Sequence, residues 1–224
     1  MRALAIPLLS AALMGQDAPA PRTLELPAPK VGSFALDAAL RQRHSDRNLS
    51  GPALSLETLS QLLWSAQGET RPPAREGRPA GRTAPSASAG YPLELYVAVA
   101  DGDELAAGVY KYSPRGHSLT KIKDGAPEVV FDFIKGQTWV LKCPAIFIFS
   151  GFSPRMPGND PIRKELFTHW ESGAAAQSLC LQVTACGLGA TVVAGVDLEA
   201  LRAAAGIPSE ERVSVIVPVG RPAQ

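Results

Sequence analysis

This 224-residue chain is poor in the side chains that most often announce a chemistry. It holds three cysteines, Cys143, Cys180 and Cys186, with no CxxC pair among them. An odd number cannot all be bridged, and thiols in apolar surroundings are by default inert, so neither a disulfide framework nor a zinc site follows. His117 and His169 stand singly, without an evident partner, and read as surface or structural residues. There is no G-x-G-x-x-G, Walker loop, H-E-x-x-H or G-x-S-x-G, and no internal repeat. An excess of one charge is missing too: 22 basic against 21 acidic residues leave a formal +1. A nucleic-acid surface needs a basic face, so no nucleic-acid partner is expected. The 20 prolines and 20 glycines are scattered, marking turns and not disorder. The length suffices for one sizeable core or two small ones.

Charge is absent altogether from residues 172–196, SGAAAQSLCLQVTACGLGATVVAGV. Its length invites a membrane reading, since about 20 apolar residues cross a bilayer. Gln177, Ser178, Gln182 and Thr184 recur through its first half, and Gly187 and Gly189 break it before a helix could span. No stable membrane insertion is expected. The pattern predicts a buried central helix over about 173–186, stopped at Gly187, the residue that tolerates a left-handed cap. Gly173, Ala174, Ala175 and Ala176 would let another backbone come close. Beyond the turn, Thr191, Val192 and Val193 are β-branched or extended formers, and Ala194-Gly195 offers amides uncovered by side chain. A buried helix feeding a naked backbone edge could seat a flat cofactor; a plain core helix with its loop is the alternative.

Residues 1–18 have the shape of a bacterial secretory signal: Arg2, a moderate apolar core, then small residues. This implies a periplasmic or secreted protein, with the cytoplasm as the alternative. Residues 19–33 read as a proline-rich linker, extended and not packed. The remainder, 34–224, reads as one domain. A short amphipathic helix over 34–42 runs into Arg43-His44-Ser45-Asp46-Arg47, a plausible anion cradle because arginine offers a planar fork to phosphate oxygens; a solvated basic helix end is the common alternative. Ser55 caps a second helix, ended by Gly68, and Asp197 caps the last, over 198–205, stopped by Gly206. Strands are expected at 93–100, 145–149 and 214–219, with a hairpin of 109–112 and 118–122. Residues 132–141 read as helix.

Three segments in order, RQRHSDRNLSGPALSLETLSQLLWSAQG, GRTAPSASAGYPLELYVAV and ESGAAAQSLCLQVTACGLGATVVAGVD ending in PVGRP, resemble the FMN-dependent nitroreductase superfamily. Within it they are similar to exported nitroreductase-like proteins and to the dehydrogenases that oxidise thiazolines and oxazolines. The resemblance implies an α+β fold, a mixed sheet flanked by helices, working as an intertwined homodimer with FMN at the interface. It assigns Arg43, His44, Ser45 and Arg47 to the phosphate and ribityl chain, with Arg221 also reaching the phosphate. It sets Pro85, Ser86 and Ala87 of the partner chain by the isoalloxazine, and gives Ala194 and Gly195 the amide contact to flavin N5. Where many relatives carry Asn or Gln after the proline-serine pair, this chain has Ala89 and Tyr91. No catalytic side chain and no metal ligand carries over. The implied activity is hydride transfer from NAD(P)H to a nitroaromatic, quinone or similar small acceptor by a ping-pong mechanism. An azoline-type dehydrogenase and a non-catalytic flavin-binding module are the alternatives.

Overall fold

The computed structural model describes residues 23–134 and 136–223, so the signal reading over 1–18 falls outside the described residues. In chain order the elements are β1 (Thr23–Glu25), α1 (Leu36–Gln42), β2 (Leu49–Ser50), α2 (Leu56–Gln67), β3 (Glu69–Arg71), β4 (Gly81–Arg82), β5 (Leu93–Val99), β6 (Gly108–Ser113), β7 (Ser118–Asp124), α3 (Pro127–Val130), β8 (Ala145–Gly151), α4 (Pro161–Ala185), β9 (Gly189–Ala190), α5 (Leu198–Ala205) and β10 (Arg212–Pro222). The main sheet runs β1-β7-β6-β5-β8-β10-β2, with β9 on β10. Every ladder among the described residues is antiparallel; a parallel pairing occurs as the isolated bridge Ser45–Ala190.

The apolar run AIFIF becomes β8, paired on both sides and buried on both faces. Alternation sends Ala145, Phe147 and Phe149 to one layer and Ile146 and Ile148 to the other. The first layer is filled by Leu62 and Leu63 of α2 with Leu179 and Val183 of α4. The second is filled by Phe131, Val140, Leu201 of α5 and Ile216. The α+β architecture, the hairpin β6–β7 and the two helices capped by Ser55 and Asp197 match the sequence expectation.

The central helix is longer than expected. It starts at Pro161, not near Gly173, because Asp160 Oδ1 accepts N–H bonds from Ile162 (3.0 Å) and Arg163 (3.2 Å), with proline at the first helical position. Gly173 is therefore mid-helix and exposed, whereas Ala175 and Ala176 are buried in this chain's own core, in the layer that α4 shares with α2. The helix ends as expected. Gly187 adopts φ +69°, its N–H donates to Thr184 O at 3.0 Å, and Leu188 N–H donates to Val183 O at 3.0 Å.

Two expectations fail. Within the supposed linker 19–33, Thr23, Leu24 and Glu25 pair with Thr120, Leu119 and Ser118, and Leu26 is buried. The alternating T-L-E-L outweighs its proline neighbours, which are harmless beyond the strand's end. The described residues of 132–141 form no α-helix: Pro127 starts α3 a turn earlier, and after Gly136 a 3-10 turn, Thr138–Lys142, follows. A Cβ at position 187 would meet nothing within 4 Å, so Gly187→Ala isolates backbone strain. It should cost about 1 kcal/mol, seen as a melting point lower by roughly 2–4 °C; an unchanged melting point would show that the cap contributes nothing.

Candidate functional site

The C-terminal end of α4 and the exit of α1 enclose a cleft of about 340 Å³, lined by Arg43, His44, Cys180, Thr184, Gly187, Gly189, Ala190 and Pro222 among others. Arg43 is the C-cap of α1, so the helix end delivers its guanidinium to the opening. Its charge is felt inside: burial pushes the Cys180 thiol up to about 11 while Arg43 pulls it back. Ser45 bridges Ala190, Asp46 N–H donates to Ala190 O (3.1 Å), and Thr191 Oγ1 donates to Asp46 O (2.5 Å), stitching 45–46 to 190–191. The approach leaves no room at position 189, where a Cβ would lie 2.5 Å from Leu49 Cδ2 and 3.2 Å from Asp46 Oδ2. His44 Nδ1 donates to Gln42 O at 2.9 Å, so its Nε2 carries a proton only in the imidazolium form.

Arg43, Arg47 and Arg221 make no ion pair among the described residues, unlike Arg155, Arg202 and Arg212. A phosphate group therefore has an unclaimed guanidinium at this cleft, and the residues fit an anionic cofactor end. Not all the expected cations line it. Arg47 is exposed outside it, and Arg221 lays its methylenes against Gly51, on the opposite side of β10 from the lining residue Pro222.

Pro85, Ser86 and Ala87 lie elsewhere, in a cleft of about 330 Å³ walled by Phe167, Trp170, Glu171 and Ala174 of α4. From Glu171 to Thr184 is 13 residues, about 20 Å along the helix axis, so one protomer keeps this turn and the Arg43 cleft apart. Ser88, Ala89 and Tyr91 all take left-handed φ (55°, 55° and 45°). Each such non-glycine residue costs roughly 1 kcal/mol or more. The two positions where relatives' polar side chains were expected, Ala89 and Tyr91, are thus also backbone special cases. Ala87 N–H and Ser86 Oγ both donate to Glu171 Oε1 at 2.9 Å, and Tyr91 N–H donates to Ser86 Oγ at 2.7 Å. Burial pushes the Glu171 carboxyl above its usual range, opposed by those two bonds and the Arg82 charge.

Gly195 lines a third opening, of about 390 Å³, with Ile134 and Gln137, and Ala194 directly precedes it in the chain. Val193 exchanges hydrogen bonds with Ile216, after which both residues turn to solvent and neither N–H donates a bond among the described residues. Gln137 Nε2 donates to Gly195 O at 2.7 Å, fixing the plane of the peptide that follows Gly195. Sequence reasoning missed Glu171 and Gln137. Glu171 sits at the edge of the uncharged run, where an isolated acid was a signal; Gln137 lay in the segment misread as helix. The other candidates resolve as structure. His117 bonds Tyr112 OH (2.8 Å) and Ser60 Oγ (2.7 Å), and His169 lies 3.4 Å from Glu165. Among the described residues no group of His, Cys, Asp or Glu could hold a metal, and no helix is long and apolar enough to cross a membrane.

An antiparallel sheet between two helical layers defines an α+β class, and an unpaired arginine stands at its glycine-lined cleft. Residues 40–221 match the Nitroreductase family. A nitroreductase-family protein of Methanocaldococcus jannaschii is 32% identical over 201 residues, covering 89% of this chain and 97% of its own. A solved nitroreductase-type protein of Ralstonia eutropha superposes with a TM-score of 0.76 at 29% identity, over 91% of this chain and 90% of its own. One from Desulfovibrio desulfuricans, solved in complex with FMN, superposes at 0.59 and 20% identity over 86% and 89%, which speaks for the fold alone. The chain belongs to the nitroreductase family and is an oxidoreductase of that family.

The raised Glu171 carboxyl has a pH consequence. A folded value above the unfolded 4.5 means that the native state binds the proton more readily, so stability is greatest below 4.5 and is lost as pH rises through the folded value. Glu171→Gln cannot ionise and should melt higher than the parent at pH 8, the gap closing toward pH 4.5. Equal melting points across that range would show that the carboxylate is not strained by burial.

Proposed function

We propose that this chain is an FMN-dependent oxidoreductase, acting as a homodimer, that passes hydride and electrons from NAD(P)H to a nitroaromatic, quinone or similar acceptor. The observation that carries this reading is the unpaired Arg43 guanidinium at the cleft closed by residues 187–190. FMN, when bound, would supply the hydride-accepting ring. Arg43 would take the phosphate, with His44 adding a second charged donor when protonated and Ser45 beside the ribityl chain. The free amides of Ala194 and Gly195 would bond N5, in a segment that Gln137 ties down through Gly195 O.

The second copy follows from α4. Ile162 (80% exposed), Leu166 (43%) and Trp170 (61%) recur every four residues on one face, an apolar stripe that the described residues of one protomer leave exposed. Two antiparallel copies of α4 crossing near Gln177 would bring the Pro85-Ser86-Ala87 turn of one chain to the Arg43 cleft of the other. This answers the 20 Å separation, on the order given by helix rise. Trp170→Glu should then give a monomer by light scattering and release flavin; a dimer with flavin retained would refute this interface.

A charge-assisted bond to phosphate contributes roughly 1.5 to 3 kcal/mol. Arg43→Ala should weaken FMN binding about ten-fold to a hundred-fold, measured by fluorescence titration; parental affinity would remove Arg43 from the phosphate site. Donor and acceptor would share one open face, so initial rates should give parallel double-reciprocal lines. Intersecting lines would reject alternating occupancy. No bleaching of bound flavin by NADH or NADPH would move the assignment to an azoline-type dehydrogenase or a non-catalytic flavin module. An exported location would make that outcome natural, because NAD(P)H is scarce outside the cytoplasm.

A further inference from the structure

Nothing in the reading so far requires a carboxylate at position 171. Glu171 is 6% exposed in the middle of α4 and has no ion-pair partner among the described residues. Its Oε1 holds Ser86 O–H and Ala87 N–H, and Ser86 Oγ passes the tie on to Tyr91 N–H. One helix residue thus ties down the start of a turn whose backbone is left-handed at Ser88 and Ala89, and through Ser86 Oγ its close at left-handed Tyr91. Arg155 Nη1 supports the far end by donating to Tyr91 O at 2.8 Å. Strained non-glycine backbone persists only where its surroundings over-determine it, and here Glu171 Oε1 supplies the two bonds that join the turn to α4.

We propose that Glu171 is a positioning residue: it holds residues 85–91, the turn each protomer offers to its partner's site, in the conformation that faces the acceptor. This rests on the dimeric flavin reading above. Because Glu171 acts on the turn and not on the Arg43 cleft, its removal separates two properties that a general loss of structure would lower together. Acceptor turnover falls while the hold on FMN stays. Glutamine keeps an oxygen able to accept both bonds, so the amide should rescue what alanine loses.

The test uses the full-length protein as purified, comparing parent, Glu171→Ala and Glu171→Gln. Hydrogen exchange of peptides covering residues 83–92 should speed up about ten-fold in Glu171→Ala, as for a released local segment, with β5 and β8 peptides unchanged. Acceptor kcat/KM should fall about ten-fold with the Kd for FMN within about two-fold of the parent, and Glu171→Gln should restore both exchange and rate. Parental exchange in Glu171→Ala would overturn the proposal, and so would faster exchange with unchanged kcat/KM, which would make the tie merely structural. If Glu171→Ala does not fold, Ser86→Ala cuts the same chain of bonds without touching α4 and must loosen the turn; parental protection there overturns the proposal equally. A purified chain that takes up no FMN would instead defeat the cofactor reading, and the exchange comparison would still decide whether Glu171 holds the turn.

Discussion

One helix has to satisfy two neighbours at once, and the rest of the molecule is arranged around that demand. Along 25 residues, α4 buries Ala175, Ala176, Leu179 and Val183 into the layer shared with α2 and the sheet. A helix packed on one side can carry small residues there, because close approach raises contact density without large side chains. Its uncharged second half is thereby explained as core and not membrane. Its first half keeps large apolar groups on the opposite side, where none of the described residues covers them.

The features read as functional share a thermodynamic mark: each is a place where the fold forgoes stability. Arginines stand without carboxylate partners, two successive amides donate to nothing among the described residues, three of the four described non-glycine residues with left-handed φ crowd into the 86–91 turn (the fourth is His117), and a glutamate is buried against its preference. Elsewhere the chain is locally consistent, with capped helices, a closed Schellman end on α4 and a strand whose two faces match its two layers. Sites where local rules fail inside a consistent frame are those that selection holds for binding or chemistry.

Much of this was legible beforehand because it depends on near neighbours. Ser55 and Asp197 stand directly before their helices and accept the N–H three residues on, Gly206 stops one by its left-handed φ of 73°, and the unbroken AIFIF run signals burial on both faces. What escaped reading depends on partners distant in the chain. The strand at Thr23 exists because β7 lies beside it, and the role of Glu171 exists because Ser86 arrives 85 residues earlier in sequence. The cap Asp160-Pro161 was local and readable, but the absence of charge from 172 onward drew attention away from the true start of α4. Residue types named the cradle; only the fold showed that Arg43 faces the cleft while Arg221 lies along Gly51.

The knot at the start of the sheet carries a consequence of its own. Ser60 Oγ and His117 both reach Pro27 O, while Leu26 N–H donates to His117 O at 3.0 Å, so the chain just after β1 is lashed to the β6–β7 hairpin. β1 is therefore the lid on an edge. A chain trimmed to Phe34, as a linker reading would allow, would bare the outer side of β7 as an open row of amides and carbonyls, and would leave Ser60 and His117 short of partners. Such a row recruits strands from other molecules. The few residues ahead of the first helix thus guard the molecule against pairing with its own kind through the wrong side.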